Sequence, residues 1–193
     1  MKLKTKLIAE IGSNHNRDIT RCYKLIDEAK NLGFYAVKFQ LFKINTLFSK
    51  DAKKTYKNIL KKRKRELPIN FLPKIYKYCK KKKIKFSCTP FDLKSVEILK
   101  NYVDFYKIAS YELNWKELLE ACAKTKKPVI LSTGMARLGE IEDAIDVLET
   151  AGTPRTKITV LHCNTEYPTP MKDVNLRAMC VIRDAFGVGI GYS

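Results

Sequence analysis

The sequence predicts an α/β protein, a (β/α)8 TIM barrel truncated after strand seven. Three observations lead there. Seven short apolar β runs alternate with six helical patterns at short, regular spacing, which implies a parallel sheet with right-handed crossovers. Most runs end in a polar cluster, and α/β proteins bind ligands at the carboxyl ends of their strands. Residues 157–170 show this best: an apolar run from Ile158 to Leu161 turns polar at His162, Asn164, Thr165 and Glu166 and is stopped by Pro168 and Pro170. Finally, no GxGxxG follows the first strand, which counts against a dinucleotide-binding version of the alternative, a doubly wound open sheet.

The elements follow in order. Lys6–Glu10 reads as strand one, and Gly12 in the following GSNHN turn is free to take a positive φ. Asp18 is placed to cap a helix reaching Leu32, with Cys22, Leu25, Ile26 and Ala29 as its apolar stripe and Gly33 as its stop. Tyr35–Gln40 is strand two. Residues 43–68 have the least regular pattern and read as a long excursion, a mobile loop over a site, with a short helix around Lys53–Lys64. A helix over 69–82 leads to strand three at Ile84–Cys88. Asp92 caps the next helix, to about Asn101, and Phe105–Ala109 is strand four. Asn114 is read as the cap of a helix to about Lys124, before strand five at Pro128–Ser132. A helix over 139–150 carries Ile141, Ala144, Ile145 and Leu148 on one face and ends at Gly152. Strand six is Ile158–Cys163, a helix covers 176–185, and strand seven is Val188–Gly191.

Composition narrows the class. The 193 residues are 45% hydrophobic, which suits one domain with a core and does not suit disorder. No apolar run approaches the length of a membrane span, and the run Leu7–Ala9 is too short for a signal peptide. The six cysteines form no CxxC pair, so the chain reads as a reduced, cytoplasmic protein without a structural zinc site. The net charge of +18 is local: residues 50–85 hold 16 Lys/Arg against 2 Asp/Glu. Such a stretch is a solvated face of a lysine-rich chain or, alternatively, a nucleic-acid surface, but no helix-turn-helix or RNA-binding motif accompanies it.

Candidate chemistry sits where the strands end. Lys38 and Lys107 interrupt strands that should be apolar on both faces. A buried ammonium needs either an internal carboxylate, for which Glu10 and Glu112 are available, or an anionic ligand such as phosphate or carboxylate. Hydroxyls recur at the other strand ends: Ser87, Thr89, Ser110, Ser132, Thr133, Thr165 and Ser193. With loop N–H groups they complete an oxyanion pocket. Glu10 is placed to act as general acid or base, or to pair with one of the lysines. His15 and His162 are isolated on different loops, and each alone is a weak start for a metal site.

The segments AEIGSNHN (9–16), VKFQ (37–40), CTPFD (88–92), YKIAS (106–110), LSTGMA (131–136), LHCNTEYPTP (161–170) and GIGYS (189–193) carry a resemblance. In their order and spacing the chain resembles the N-acetylneuraminate (sialic acid) synthases and their legionaminate and pseudaminate relatives. The resemblance implies a barrel that condenses phosphoenolpyruvate with N-acetylmannosamine or a related N-acetylated amino sugar. By position, Lys38, Thr89, Lys107, Ser110, Ser132 and Ser193 would hold phosphoenolpyruvate. Gln40 and Tyr167 would face the sugar, Thr165 would add a hydroxyl, and Glu10 would be the catalytic carboxylate.

YKIASYE leans to the pseudaminate branch, while LHCNTEYPTP and LSTGMARLGEIE lean to the neuraminate and legionaminate branches, which are favoured. The resemblance also implies a divalent metal, Mn2+ or Mg2+, and a homodimer for a full-length enzyme. Its metal-binding histidines, one in Asp-His-Thr after GYS and one on strand eight, have no counterpart here, and neither has its C-terminal antifreeze-like domain. His15 and His162 are not those ligands. No metal ligand is therefore assigned, and the isolated chain is expected to be inactive. The other readings are a non-catalytic remnant or binding and oligomerisation module and, less favoured, a nucleic-acid-binding protein.

Overall fold

The computed structural model describes residues 5–55 and 58–193. The chain divides into two compact units, residues 1–104 and 105–193.

The first unit is built on three parallel strands, β1 (Ile8–Gly12), β2 (Ala36–Leu41) and β3 (Lys85–Pro90), paired in chain order. Helix α1 (Ile19–Asn31) starts at Asp18, whose carboxylate accepts from the N–H groups of Thr20 and Arg21. The cap satisfies donors that the first turn leaves open. The helix buries Cys22, Ile26 and Ala29. Gly12 and Gly33 take φ of +54° and +78°, as the turns after β1 and α1 require. Strand one lies about two residues later than its hydropathy indicated, because the ladder partners Ile8 to Gly12, with an irregularity at Glu10/Gly12, set its ends.

The excursion after β2 is more ordered than its pattern suggested. It forms the short helices α2 (Ile44–Leu47) and α3 (Lys50–Thr55) and a 3-10 segment, Leu60–Arg65. The expected helix over 53–64 lies in part outside the described residues. Phe42, Ile44 and Ile59 are buried against Leu47, Phe48, Ala52 and Phe91, so the segment has a small apolar cluster of its own. Glu66 ties it to the end of β2, accepting from Ile44 N–H at 2.8 Å and from Lys43 Nζ at 3.2 Å. Helix α4 (Leu72–Lys81) buries Leu72, Ile75 and Cys79, and a 3-10 turn rather than α-helix covers Ile69–Phe71. Helix α5 (Leu93–Leu99) is capped by Asp92, which accepts from Ser95 N–H.

The second unit has four parallel strands, again in chain order: β4 (Phe105–Ile108), β5 (Val129–Ser132), β6 (Ile158–His162) and β7 (Gly189–Tyr192). Their connections carry α6 (Lys116–Lys124), α7 (Leu138–Thr150) and α8 (Arg177–Phe186). Helix α7 buries Ile141, Ala144, Ile145 and Leu148, the stripe read from the sequence. The expected cap at Asn114 is not made. Trp115 precedes α6 without a side-chain cap, and Asn114 Nδ2 donates instead to Glu140 Oε1 at 3.0 Å. Glu140 also accepts from Arg137 N–H at 2.8 Å, which satisfies a donor at the start of α7. No helix of the described residues is long and apolar enough to cross a membrane.

All six cysteines are free thiols. Burial pushes Cys22, Cys79 and Cys122 up to about 12, so these three act as small hydrophobes.

Some residues of the basic stretch are paired. Lys80 and Lys85 reach Asp104, Lys82 reaches Asp27, and Lys62 lies over the ring of Phe48.

Candidate active site

In the first unit, register puts polar side chains on one face. Glu10, Lys38 and Ser87 are partners across β1, β2 and β3, and Gln40 pairs with Thr89 one step further on. Side chains two residues apart share a strand face, so the rows Glu10–Lys38–Ser87 and Gln40–Thr89 stack toward the carboxyl ends. The Lys38 ammonium forms an ion pair with Glu10. Of the two fates weighed for Lys38, internal pairing is the one observed. Its side chain keeps 13% exposure and that of Glu10 48%, so the carboxylate is half open to solvent. Ser13 Oγ donates to Gln40 Oε1 at 3.5 Å, and Thr89 is buried.

Gly12 closes this corner. A Cβ there would lie 2.6 Å from Glu10 Oε1, and its φ is already left-handed. The glycine therefore leaves room for the carboxylate as well as making the turn.

His15 is fully buried beside Phe39. Its Nδ1 accepts from Arg17 N–H at 2.9 Å, while Nε2 is buried without a hydrogen-bond partner. Burial, then the Arg17 charge, lowers its pKa, so the ring is held neutral.

In the second unit, Lys107 is buried at the carboxyl end of β4, and its Nζ donates to Ser132 Oγ and to Ile108 O. Lys107 is in register with Ile130, and Ser132 stands two residues beyond Ile130 on the same face. Glu112, weighed as an internal partner for Lys107, keeps Oε2 buried without a hydrogen-bond partner. Burial raises its pKa, against the lowering effects of its own backbone N–H and of Lys107.

Ser110 Oγ accepts from Gly134 N–H at 3.0 Å. A Cβ on Gly134 would meet Thr165 Cγ2 at 2.8 Å and Ser110 Oγ at 3.0 Å, so a side chain there would force one of these neighbours to shift. Thr133 Oγ1 donates to Leu161 O, and Cys163 Sγ lies 3.2 Å from Ser132 Oγ. Lys107, Ser132 and Cys163 thus form one group of contacts at the strand ends of this unit, and Ser110, Gly134 and Thr165 another.

Two other candidates, Tyr167 and Ser193, are exposed, Tyr167 to 84%. Ser193 donates its N–H to His162 O. His162 Nε2 accepts from Asn175 N–H at 3.2 Å. Cys163 and Gly134 were not singled out by the sequence reading. No local pattern pointed to Cys163, since it is the pairing of Leu161 with Ser132 that brings it near.

Among the described residues, no three His, Cys, Asp or Glu side chains are grouped to hold a metal ion. The residues present do not fit the divalent metal that the resemblance implies. Each histidine instead uses a ring nitrogen to accept from a backbone N–H.

A sequence profile of the NeuB family matches residues 25–193. The chain is 43% identical to the N,N'-diacetyllegionaminic acid synthase of Campylobacter jejuni, over 98% of this chain and 60% of that protein. It is 35% identical to the enzyme of the same name from Legionella pneumophila, over 97% of this chain and 56% of that one. It superposes with a TM-score of 0.89 and 32% identity on the N-acetylneuraminic acid (sialic acid) synthetase of Leptospira borgpetersenii, covering 98% of this chain and 65% of that structure. The chain thus spans 56% and 60% of the length of these two curated relatives.

Proposed function

This chain belongs to the NeuB family, and from that premise we propose that it carries the phosphoenolpyruvate-binding part of a nonulosonic acid synthase. The reaction joins phosphoenolpyruvate to N-acetylmannosamine or a related N-acetylated amino sugar and releases phosphate. The neuraminate and legionaminate branches are preferred, supported by the 43% identity to a legionaminic acid synthase. The finer fold reading, a (β/α)8 barrel carried as far as its seventh strand, is part of the same proposal.

The observation that carries the reading is the set of strand-end contacts in the second unit, where buried Lys107 meets the Ser132 hydroxyl and Ser110 meets the Gly134 N–H. Such preorganised donors suit a phosphate or carboxylate. In the proposed reaction, the enol carbon of phosphoenolpyruvate bonds to the sugar aldehyde carbon, whose oxygen takes up a proton. Water then adds to the cationic carbon and gives up a proton, and phosphate leaves with cleavage of its C–O bond and takes up the proton that the new hydroxyl releases as it becomes the keto group. Lys38, Thr89, Lys107, Ser110, Ser132 and Ser193 hold phosphoenolpyruvate, with Thr165 as a further hydroxyl. Gln40 and Tyr167 face the sugar. Glu10, oriented by Lys38, moves the proton at the attacking water or the carbonyl oxygen. The enzyme acts in the cytoplasm, in keeping with its six free thiols, and works as a homodimer at the relatives' length.

Binding provides the first test. Phosphoenolpyruvate should bind the 193-residue chain, and Lys107→Ala should weaken it at least about tenfold, the scale of hydrogen bonds to charged groups. A version carried on to the relatives' length should release phosphate only when the amino sugar is present. Full activity in its Lys107→Ala variant, or release that ignores the sugar, would refute the assignment.

A further inference from the structure

We propose that Cys163 is a positioning residue whose thiol donates to Ser132 and thereby turns the Ser132 hydroxyl hydrogen outward, as a donor to an anionic ligand. The inference rests on the anion-binding reading given above and adds a residue to it.

The argument is a count of lone pairs. A serine hydroxyl has one hydrogen to give and two lone pairs to fill. Lys107 Nζ donates to Ser132 Oγ, and Cys163 Sγ lies 3.2 Å from the same oxygen, within reach for its thiol to donate there. With both lone pairs taken, the hydroxyl hydrogen is the one element of Ser132 left to use. The oxygen is almost fully buried, at 4% exposure for the residue, so its orientation is set by protein groups rather than by bulk water.

Strand geometry puts the three side chains in line. Lys107 pairs with Ile130, Ser132 follows two residues later and pairs with Leu161, and Cys163 follows two residues after that. Each step of two keeps the side chain on one face, so the three form a diagonal from β4 to the end of β6. The other oxygen near the thiol, Leu161 O at 3.5 Å, already accepts from Thr133 Oγ1 at 2.8 Å. Each oxygen thus has one other donor, and Ser132 Oγ is the nearer of the two to the thiol. A weak donor suits the position, because it fills the lone pair without competing for the hydroxyl hydrogen.

Two measurements test this. The first is the S–H stretch of Cys163, isolated as the Raman difference between wild type and Cys163→Ala. It should lie where a donating thiol absorbs and move toward the free-thiol position in Ser132→Ala. A band that ignores Ser132→Ala would overturn the hydrogen bond. The second is affinity for phosphoenolpyruvate and for inorganic phosphate. Cys163→Ala should bind either anion about threefold to tenfold more weakly, the scale of one hydrogen bond. Cys163→Ser, which keeps a donor, should restore binding. Unchanged affinity in Cys163→Ala, or no rescue by Cys163→Ser, would overturn the positioning role. Failure of the wild type to bind either anion would overturn the functional reading, and the S–H band would still decide the hydrogen bond separately.

Discussion

Glu10 and Lys38 are paired twice over. Their backbones are register partners across β1 and β2, and their side chains form an ion pair. The lysine end is mostly buried while the carboxylate end is half exposed. Glu10→Ala should therefore cost about 1–2 kcal/mol, between the values for exposed and buried pairs, read from urea midpoints. Glu10→Ala/Lys38→Met should recover most of it, since no charge then remains unpaired. A double variant no more stable than the single would show that the pair does not hold β1 to β2.

Gly134 makes a packing prediction. Gly134→Ala drives a methyl into Thr165 Cγ2 at 2.8 Å and toward Ser110 Oγ, and it should cost about 1–3 kcal/mol. Thr165→Ser removes that methyl while keeping the hydroxyl. The Gly134→Ala/Thr165→Ser protein should be more stable than Gly134→Ala alone, and equal melting temperatures would contradict the contact.

Asp104 makes an acid-stability prediction. Burial alone would raise its pKa, but Lys80, the Phe86 N–H and Lys85 outweigh this and lower it. A carboxylate with a lowered folded pKa adds stability above its unfolded value of about 3.9, and the gain is lost as pH falls through the folded value. The advantage of wild type over Asp104→Asn should be full at neutral pH and shrink below about pH 4, as followed by denaturant midpoints. An advantage constant down to pH 2 would count against the linkage.

His15 has the same sign at a higher pH. Burial and Arg17 lower its folded pKa, so below the unfolded value of about 6.5 the unfolded chain binds the extra proton and stability falls. Wild type should lose stability as pH falls below about 6.5, and His15→Gln should show a shallower slope there. Parallel slopes would show that His15 is not the group responsible.

Much of the architecture was legible because it rests on local rules. Asp18 and Asp92 cap helices where their short side chains reach the first-turn N–H groups, and the α7 stripe is buried as its period indicates. Asn114 misled for a tertiary reason: its amide is taken by Glu140, 26 residues away. The segment over 43–68 looked like a loop because its helices are short and its apolar residues sparse, yet Phe42, Ile44 and Ile59 meet in space. Strand one was displaced because hydrogen-bonded partners, and not hydropathy, decide where a ladder ends.

The candidate site divides along the same line. Residue order alone was enough to place Lys38, Lys107 and the hydroxyls near strand ends, since a polar group interrupting an apolar strand is visible in one dimension. It left open whether each lysine pairs with an internal carboxylate or awaits an anionic ligand. That depends on register between strands, and register brought Lys38 to Glu10 and Lys107 to Ser132. The approach of Cys163 to Ser132 and the crowding at position 134 likewise arise only when separate strand ends converge to within hydrogen-bond or van der Waals distance, a relation between parts of the chain that local pattern does not encode.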